Sequence, residues 1–255
     1  MFKRFLLTTA SVIVAAGMAA TAANAALVID DFTDKLENDV TGDGDGVVLD
    51  TTNNGIGKFD RSVQILGTII GGDRELIVSK TADGGSPTAE VTDAGHFTHN
   101  NGAGDTPGFT GTSLLRWDGS GVGDTDGRDY NLGADLTAGG LSQYFHISVI
   151  SADLAGSVVE LRLYTNAIDF SIASVNLPAG PSEHFLSLAA LDALVTGGAG
   201  VTITNVNAIE LFAQGTANFD VAINIIETVP EPASLTLLGA GLMGAGYFSR
   251  RRKMA

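Results

Sequence analysis

Two neighbouring stretches decide the fold class. The first is Gln143-Tyr144-Phe145-His146-Ile147-Ser148-Val149-Ile150-Ser151, and Ser157-Val158-Val159-Glu160-Leu161-Arg162-Leu163-Tyr164-Thr165 follows five residues later. In the first, Phe145, Ile147 and Val149 fall on one side of a two-residue period, and His146 between them points the other way. In the second, Val159, Leu161 and Leu163 share a side, with Glu160 and Arg162 opposite. Successive side chains of a strand leave opposite faces of the pleat, so this alternation marks half-buried β-strands.

Strand-like runs of the same kind recur on both sides, at residues 27–32, 63–70, 75–79, 113–117, 168–175, 208–213 and 218–227. In the last of these, Phe219, Val221, Ile223 and Ile225 are expected on one face, with Asp220 and Asn224 on the other. Few segments suit a helix, and 186–195 is the best candidate, with a turn or two around 189–194. Strands without alternating helices predict an all-β, antiparallel β-sandwich rather than a parallel α/β sheet. No repeat of fixed period points to a solenoid or propeller. Glycine-rich segments at 41–46, 84–87, 100–111 and 118–129 read as loops at the ends of the sandwich, where binding sites gather.

Residues 26–228 form the expected domain. Between Ala26 and Val229, 28 acidic residues face eight basic ones, a formal charge of −20. Such a surface repels phosphate backbones, which argues against a nucleic-acid partner. The chain has no cysteine, so disulfides, thiolate metal sites and cysteine nucleophiles are excluded.

The two ends carry export signals. Lys3 and Arg4 precede an apolar run, and Ala23-Asn24-Ala25 supplies the small residues that signal peptidase accepts, so residues 1–25 read as a cleaved signal peptide. At the other end Val229-Pro230-Glu231-Pro232 is followed by 17 uncharged residues and then by Arg250-Arg251-Arg252-Lys253. Seventeen residues span about 25 Å as a helix, enough for a short transmembrane segment. The basic cluster holds its far end in the cytoplasm and leaves the acidic domain outside.

This order at 229–255 resembles the PEP-CTERM sorting signal of Gram-negative, exopolysaccharide-producing bacteria. The resemblance implies a precursor transiently anchored in the inner membrane and cut near Pro-Glu-Pro by an exosortase. It also implies a mature protein at the cell surface or in the extracellular matrix, as in a biofilm. Ile29-Asp30-Asp31-Phe32 and Asn218-Phe219-Asp220-Val221-Ala222-Ile223 resemble the paired first and last strands of galactose-binding-like jelly rolls. Gly71-Gly72-Asp73-Arg74 and Leu115-Arg116-Trp117-Asp118-Gly119 are similar to segments of other PEP-CTERM-tailed sandwiches.

Candidate sites are few. Asp39, Asp43 and Asp45 alternate with small residues, and Asp50 lies at the twelfth place counted from Asp39. Carboxylates on a flexible backbone suit Ca²⁺, yet a glutamate is expected at that twelfth place and flanking helices are missing. Asp93, His96 and His99 could gather locally, although a solvated histidine pair is the simpler reading. Trp117 and Tyr130, on or beside long loops, are the candidates to stack on a sugar ring, with Tyr144 a weaker third. Trp117 also ends an apolar run, which favours a place in the core. No nucleophile elbow, P-loop or dinucleotide fingerprint is present. The expectation is a non-enzymatic surface or matrix protein that binds polysaccharide. A polysaccharide-active enzyme and a purely structural or adhesive protein are the alternatives.

Overall fold

The computed structural model describes residues 26–33, 49–50, 59–65, 69–81, 87–92, 94–101, 111–119, 127–154, 157–214 and 219–231. Thirteen strands follow one another along these residues. They are β1 (Leu27–Asp30), β2 (Leu49–Asp50), β3 (Phe59–Ile65), β4 (Asp73–Lys80), β5 (Thr88–Val91), β6 (Phe97–Asn100), β7 (Gly111–Trp117), β8 (Tyr144–Ala152), β9 (Ser157–Tyr164), β10 (Phe170–Leu177), β11 (Ser182–Ser187), β12 (Ala208–Gln214) and β13 (Asp220–Val229). One sheet runs β11–β8–β13–β6–β5–β2, with β1 also paired to β13; the other runs β10–β9–β12–β7–β4–β3. Every pairing is antiparallel. From β6 onward the chain passes repeatedly from one sheet to the other, which makes the sandwich a jelly roll.

The alternation read from the sequence fills the space between the sheets. Phe145, Ile147 and Val149 of β8 and Val159, Leu161 and Leu163 of β9 are all buried, and both rows belong to one core. Burying each such side chain contributes about 1.5–3 kcal/mol. Most of the other expected strands form within a few residues of their predicted bounds.

Four differences have physical causes. The run 63–70 straddles a turn: β3 ends at Ile65, and a short 3-10 turn at Ile70–Gly72 follows, with Gly71 at φ 77° and Gly72 at φ 82°. In β13 the register slips between Ala222 and Ile225, so Asn224 is the extra residue of a β-bulge. The bulge resets the alternation, and Ile226 points into the core where Ile225 was expected. β6, absent from the expected strands, is too short and polar to show a period, and it turns His99 fully into the core. β11, with one exposed apolar residue among polar ones, also escaped notice. The predicted helix is α1 (Leu188–Ala193), begun by the Ser187 hydroxyl, which accepts the Ala190 N–H at 3.4 Å.

Three of the short motifs singled out in the sequence meet in one buried cluster. Arg74 donates to both carboxylate oxygens of Asp30, at 3.0 and 2.9 Å, and both side chains are fully buried. The Trp117 indole N–H donates to Asp30 Oδ2 at 3.0 Å, and the Phe32 backbone N–H to Asp30 Oδ1 at 2.8 Å. Arg74 lies over the Phe32 ring, 5.7 Å from its centre. A buried charge is tolerated only when paired and hydrogen-bonded in this way.

Candidate functional site

Trp117 is fully buried, with its indole N–H committed to Asp30, so it cannot serve as a sugar-stacking surface. Tyr130 stands differently. It is half-buried on the segment between β7 and β8, and its backbone has φ 54°, a left-handed value uncommon for a residue with a side chain. Such strain persists only where the surroundings hold it. The Tyr130 ring meets Tyr164 of β9 edge-on at 6.1 Å, and Tyr164 meets Phe170 of β10 at 5.5 Å.

These rings border the outer face of the six-stranded sheet. Register places Glu75, Arg116, Glu210 and Arg162 side by side across β4, β7, β12 and β9. Arg116 donates to Glu210 at 2.9 Å and to Glu75 at 2.6 Å, while Arg61 of β3 forms a further ion pair with Glu75. From the loop, Arg128 donates to both oxygens of Glu210, at 2.5 and 3.1 Å, and its guanidinium lies 4.1 Å over the Tyr164 ring. The Tyr164 hydroxyl donates to Glu210 at 3.2 Å. One row further along, half-buried Ile77, Leu114 and Phe212 line up, and Arg162 covers Phe212 at 4.0 Å while pairing with Glu160 at 2.6 Å.

Arg61, Arg116, Arg128 and Arg162 are four of the domain's eight basic residues, and they share this face. Burial works against the charge on Arg128, but the hydrogen bonds and charge of Glu210 outweigh it and raise the guanidinium's pKa. Burial, reinforced by the Glu210 carboxylate, pushes the Tyr164 phenol up to about 12. Burial also raises the Glu75 carboxyl, against the pull of Arg116 and Arg61. The result is a floor of fixed donors and acceptors beside apolar and aromatic side chains. That arrangement suits a polyhydroxylated ligand, which needs both. The signal for it lay in the sequence as Glu160 and Arg162 opposite an apolar row, but Arg116 could not be paired with Glu75 and Glu210, 41 and 94 residues away, without the fold.

The remaining candidates are scattered. Tyr144 borders a separate cleft of about 430 Å³ with Gln143, Leu188, Asp192 and Thr204. Asp39, Asp43 and Asp45 lie outside the described residues, and Asp50 sits in β2 opposite Thr88. Among the described residues, no group of three or more His, Asp or Glu is arranged to hold a metal ion. His99 is in the core rather than in solvent, and His96 contacts the Gly95 carbonyl through Nδ1 at 2.7 Å. Ala23 and Ala25, Pro232 and the cluster Arg250, Arg251, Arg252 and Lys253 lie outside the described residues.

At the other end, β13 runs on to Val229, whose carbonyl accepts the Gln143 N–H at 2.8 Å, and Pro230 and Glu231 follow. Residues 228–253 match the family model of the PEP-CTERM protein-sorting motif. The C-terminus carries a PEP-CTERM sorting motif. Its first two residues, Thr228 and Val229, are still part of β13, and Thr228 is fully buried.

Among solved structures, the chain is similar to a family 11 carbohydrate-binding module of a cellulosomal cellulase of Clostridium thermocellum. The two are 8% identical, the match covers 80% of this chain and 94% of that one, and the TM-score is 0.33. The solution structure of CtCBM11 matches at 8% identity over 72% of this chain and 95% of that one, with a TM-score of 0.34. An exo-β-agarase matches at 12% identity over 81% of this chain but 25% of the enzyme, with a TM-score of 0.39. No curated protein matches the chain.

Proposed function

We propose that this chain is an exported protein, freed of its first 25 residues by signal peptidase and processed through its PEP-CTERM motif by an exosortase. In this reading the sandwich acts without catalysis at the cell surface or in the exopolysaccharide matrix, binding neutral polysaccharide on the outer face of the six-stranded sheet. The observation that carries the binding half is the buried Glu75–Arg116–Glu210 row, joined by the half-buried Arg128, beside Tyr130, Tyr164 and Phe212. Charges held this firmly beside the half-buried Tyr130 and Phe212 rings are costly to bury, and a hydroxyl-rich ligand makes use of them.

Charge selects among polysaccharides. A domain carrying −20 repels a polyanion at long range. At short range each arginine on the face already holds a carboxylate, so a uronate would have to displace Glu75, Glu160 or Glu210. A neutral sugar chain meets neither obstacle.

Affinity electrophoresis of the mature chain in gels containing a soluble β-glucan, a β-galactan or a polyuronate tests the proposal. Retardation by a neutral polymer is expected, weakened at least tenfold (about 1.4 kcal/mol) by combining Tyr130→Ala with Arg162→Ala. Retardation by the polyuronate alone, or binding that survives both substitutions, overturns the site. Release of reducing ends would establish the enzyme alternative, and absence of retardation in every gel the structural one. Mass spectrometry of the secreted protein should find chains that begin at Ala26 and end near Pro230–Pro232.

A further inference from the structure

Among the described residues, exposed apolar side chains gather at the end of the sandwich where β13 finishes. Eight large hydrophobic side chains are exposed among the described residues: Val28, Leu141, Ile150, Leu154, Ile168, Phe185, Leu194 and Val195. Hydrogen bonds place six of them at this one end. Tyr144 pairs with both Val229 and Ser187, so β8 begins where β13 and β11 end, and Phe185 and Val28 lie one row in. Leu141 stands two residues before Gln143, which binds the Val229 carbonyl. α1 follows Ser187 directly and leads to Leu194 and Val195. The next residues, Thr196 and Gly197, donate to the Phe170 carbonyl and so bring the turn carrying Ile168 to the same end. The exceptions, Ile150 and Leu154, lie at the far end of β8 and in the turn beyond it, about 20 Å or more away at 3.4 Å per residue.

The chain leaves from this same end toward its apolar stretch. Between Val229, still held in the sheet, and Ala233, where the 17 uncharged residues begin, only Pro230, Glu231 and Pro232 intervene. Three residues reach about 10 Å when fully extended. The headgroup layer on one side of a bilayer is itself about 5–7 Å thick. A domain tens of ångströms wide on so short a leash cannot stand clear of the surface. It must lean on the bilayer with the end that carries Leu141 (63% exposed), Ile168 (70%) and Val195 (58%).

We propose that, in the membrane-held precursor, this end of the sandwich rests on the lipid headgroup layer, with Leu141, Ile168, Phe185, Leu194 and Val195 as its contacts. The inference rests on the tail being a membrane anchor, as set out under the proposed function. Asp169 and Asp192 lie at the same end, so apolar contact and tethering drive the docking, and zwitterionic lipid is the favoured surface.

The absence of cysteine makes the test direct. Leu141→Cys, Ile168→Cys and, as a distant control, Leu154→Cys are each labelled with an environment-sensitive fluorophore in the full chain. Each is reconstituted into phosphatidylcholine vesicles with and without nitroxide-headgroup lipid. All three sites are exposed, and matching thermal melts confirm that labelling leaves the fold intact. Quenching several-fold stronger at 141 and 168 than at 154 is expected. Equal quenching at the three sites, with the chain still floating with the vesicles, overturns the docking and leaves the anchor standing. Failure of the chain to float with vesicles overturns both.

Discussion

His99 gives the sharpest quantitative test of the fold. It lies in β6 with its side chain in the core, against the Phe219 ring at 5.8 Å. Burial lowers its pKa from the ordinary 6.5 to about 4, the nearby Asn101 side chain opposing only in part. Between those values the unfolded chain binds a proton that the folded one refuses, so stability falls as pH falls. His99's contribution is fully present above pH 6.5 and is lost as pH drops toward 4. With one pK unit equal to about 1.36 kcal/mol, the loss reaches about 2 kcal/mol at pH 5 and about 3 kcal/mol at pH 4. Other groups titrate in the same window, so the measurement must be a difference. Urea denaturation of the wild-type 26–229 domain and of His99→Leu, followed by the fluorescence of the single buried Trp117, supplies it between pH 4 and 8. The stability of wild type minus that of the variant should fall by these amounts on acidification. A difference that stays flat from pH 7 to 4 would refute a neutral, buried imidazole.

Other perturbations follow from the same geometry. Arg74→Met should destabilise the domain by about 3–5 kcal/mol, because it strands the buried Asp30 carboxylate, and adding Asp30→Leu should recover much of that loss in urea melts. Trp117→Phe removes the indole N–H bound to Asp30 and should cost about 1–2 kcal/mol by chemical denaturation, while polysaccharide retardation stays unchanged. Gly71→Ala combines φ 77° with a Cβ only 2.6 Å from Leu132 Cδ1 and should lower stability by about 1 kcal/mol or more in thermal melts. Gly127→Ala, with nothing within 4 Å, should be close to neutral in the same assay.

Period and chemistry were legible in the sequence to different degrees. β8 and β9 announced themselves because each is long enough to show three inward and two or more outward residues. β6 and β11 are short, or mix polar residues on both faces, and no local signal separates such segments from loop. The bulge at Asn224 was invisible because a register slip belongs to a pair of strands, and the local pattern Phe-Asp-Val-Ala-Ile-Asn-Ile read as one unbroken alternation. Charge and spacing located the C-terminal motif, whose signal is linear. The outer-face row was hidden for the opposite reason: Glu75, Arg116 and Glu210 are neighbours only through strand register. Tyr130 was a candidate by its place on a long loop, and it is half-buried there, while Trp117 occupies the core position that its apolar run foreshadowed.

The position of β13 bears on how the protein would respond to force. It lies inside its sheet, paired with β8 along one side and with β6 and then β1 along the other. Tension pulling on Val229 therefore runs along the strand axis and loads both flanking ladders in shear, so that many bonds must fail together. An edge strand pulled sideways would instead unzip one bond at a time. A tail attached to this strand grips the sandwich through two ladders rather than one.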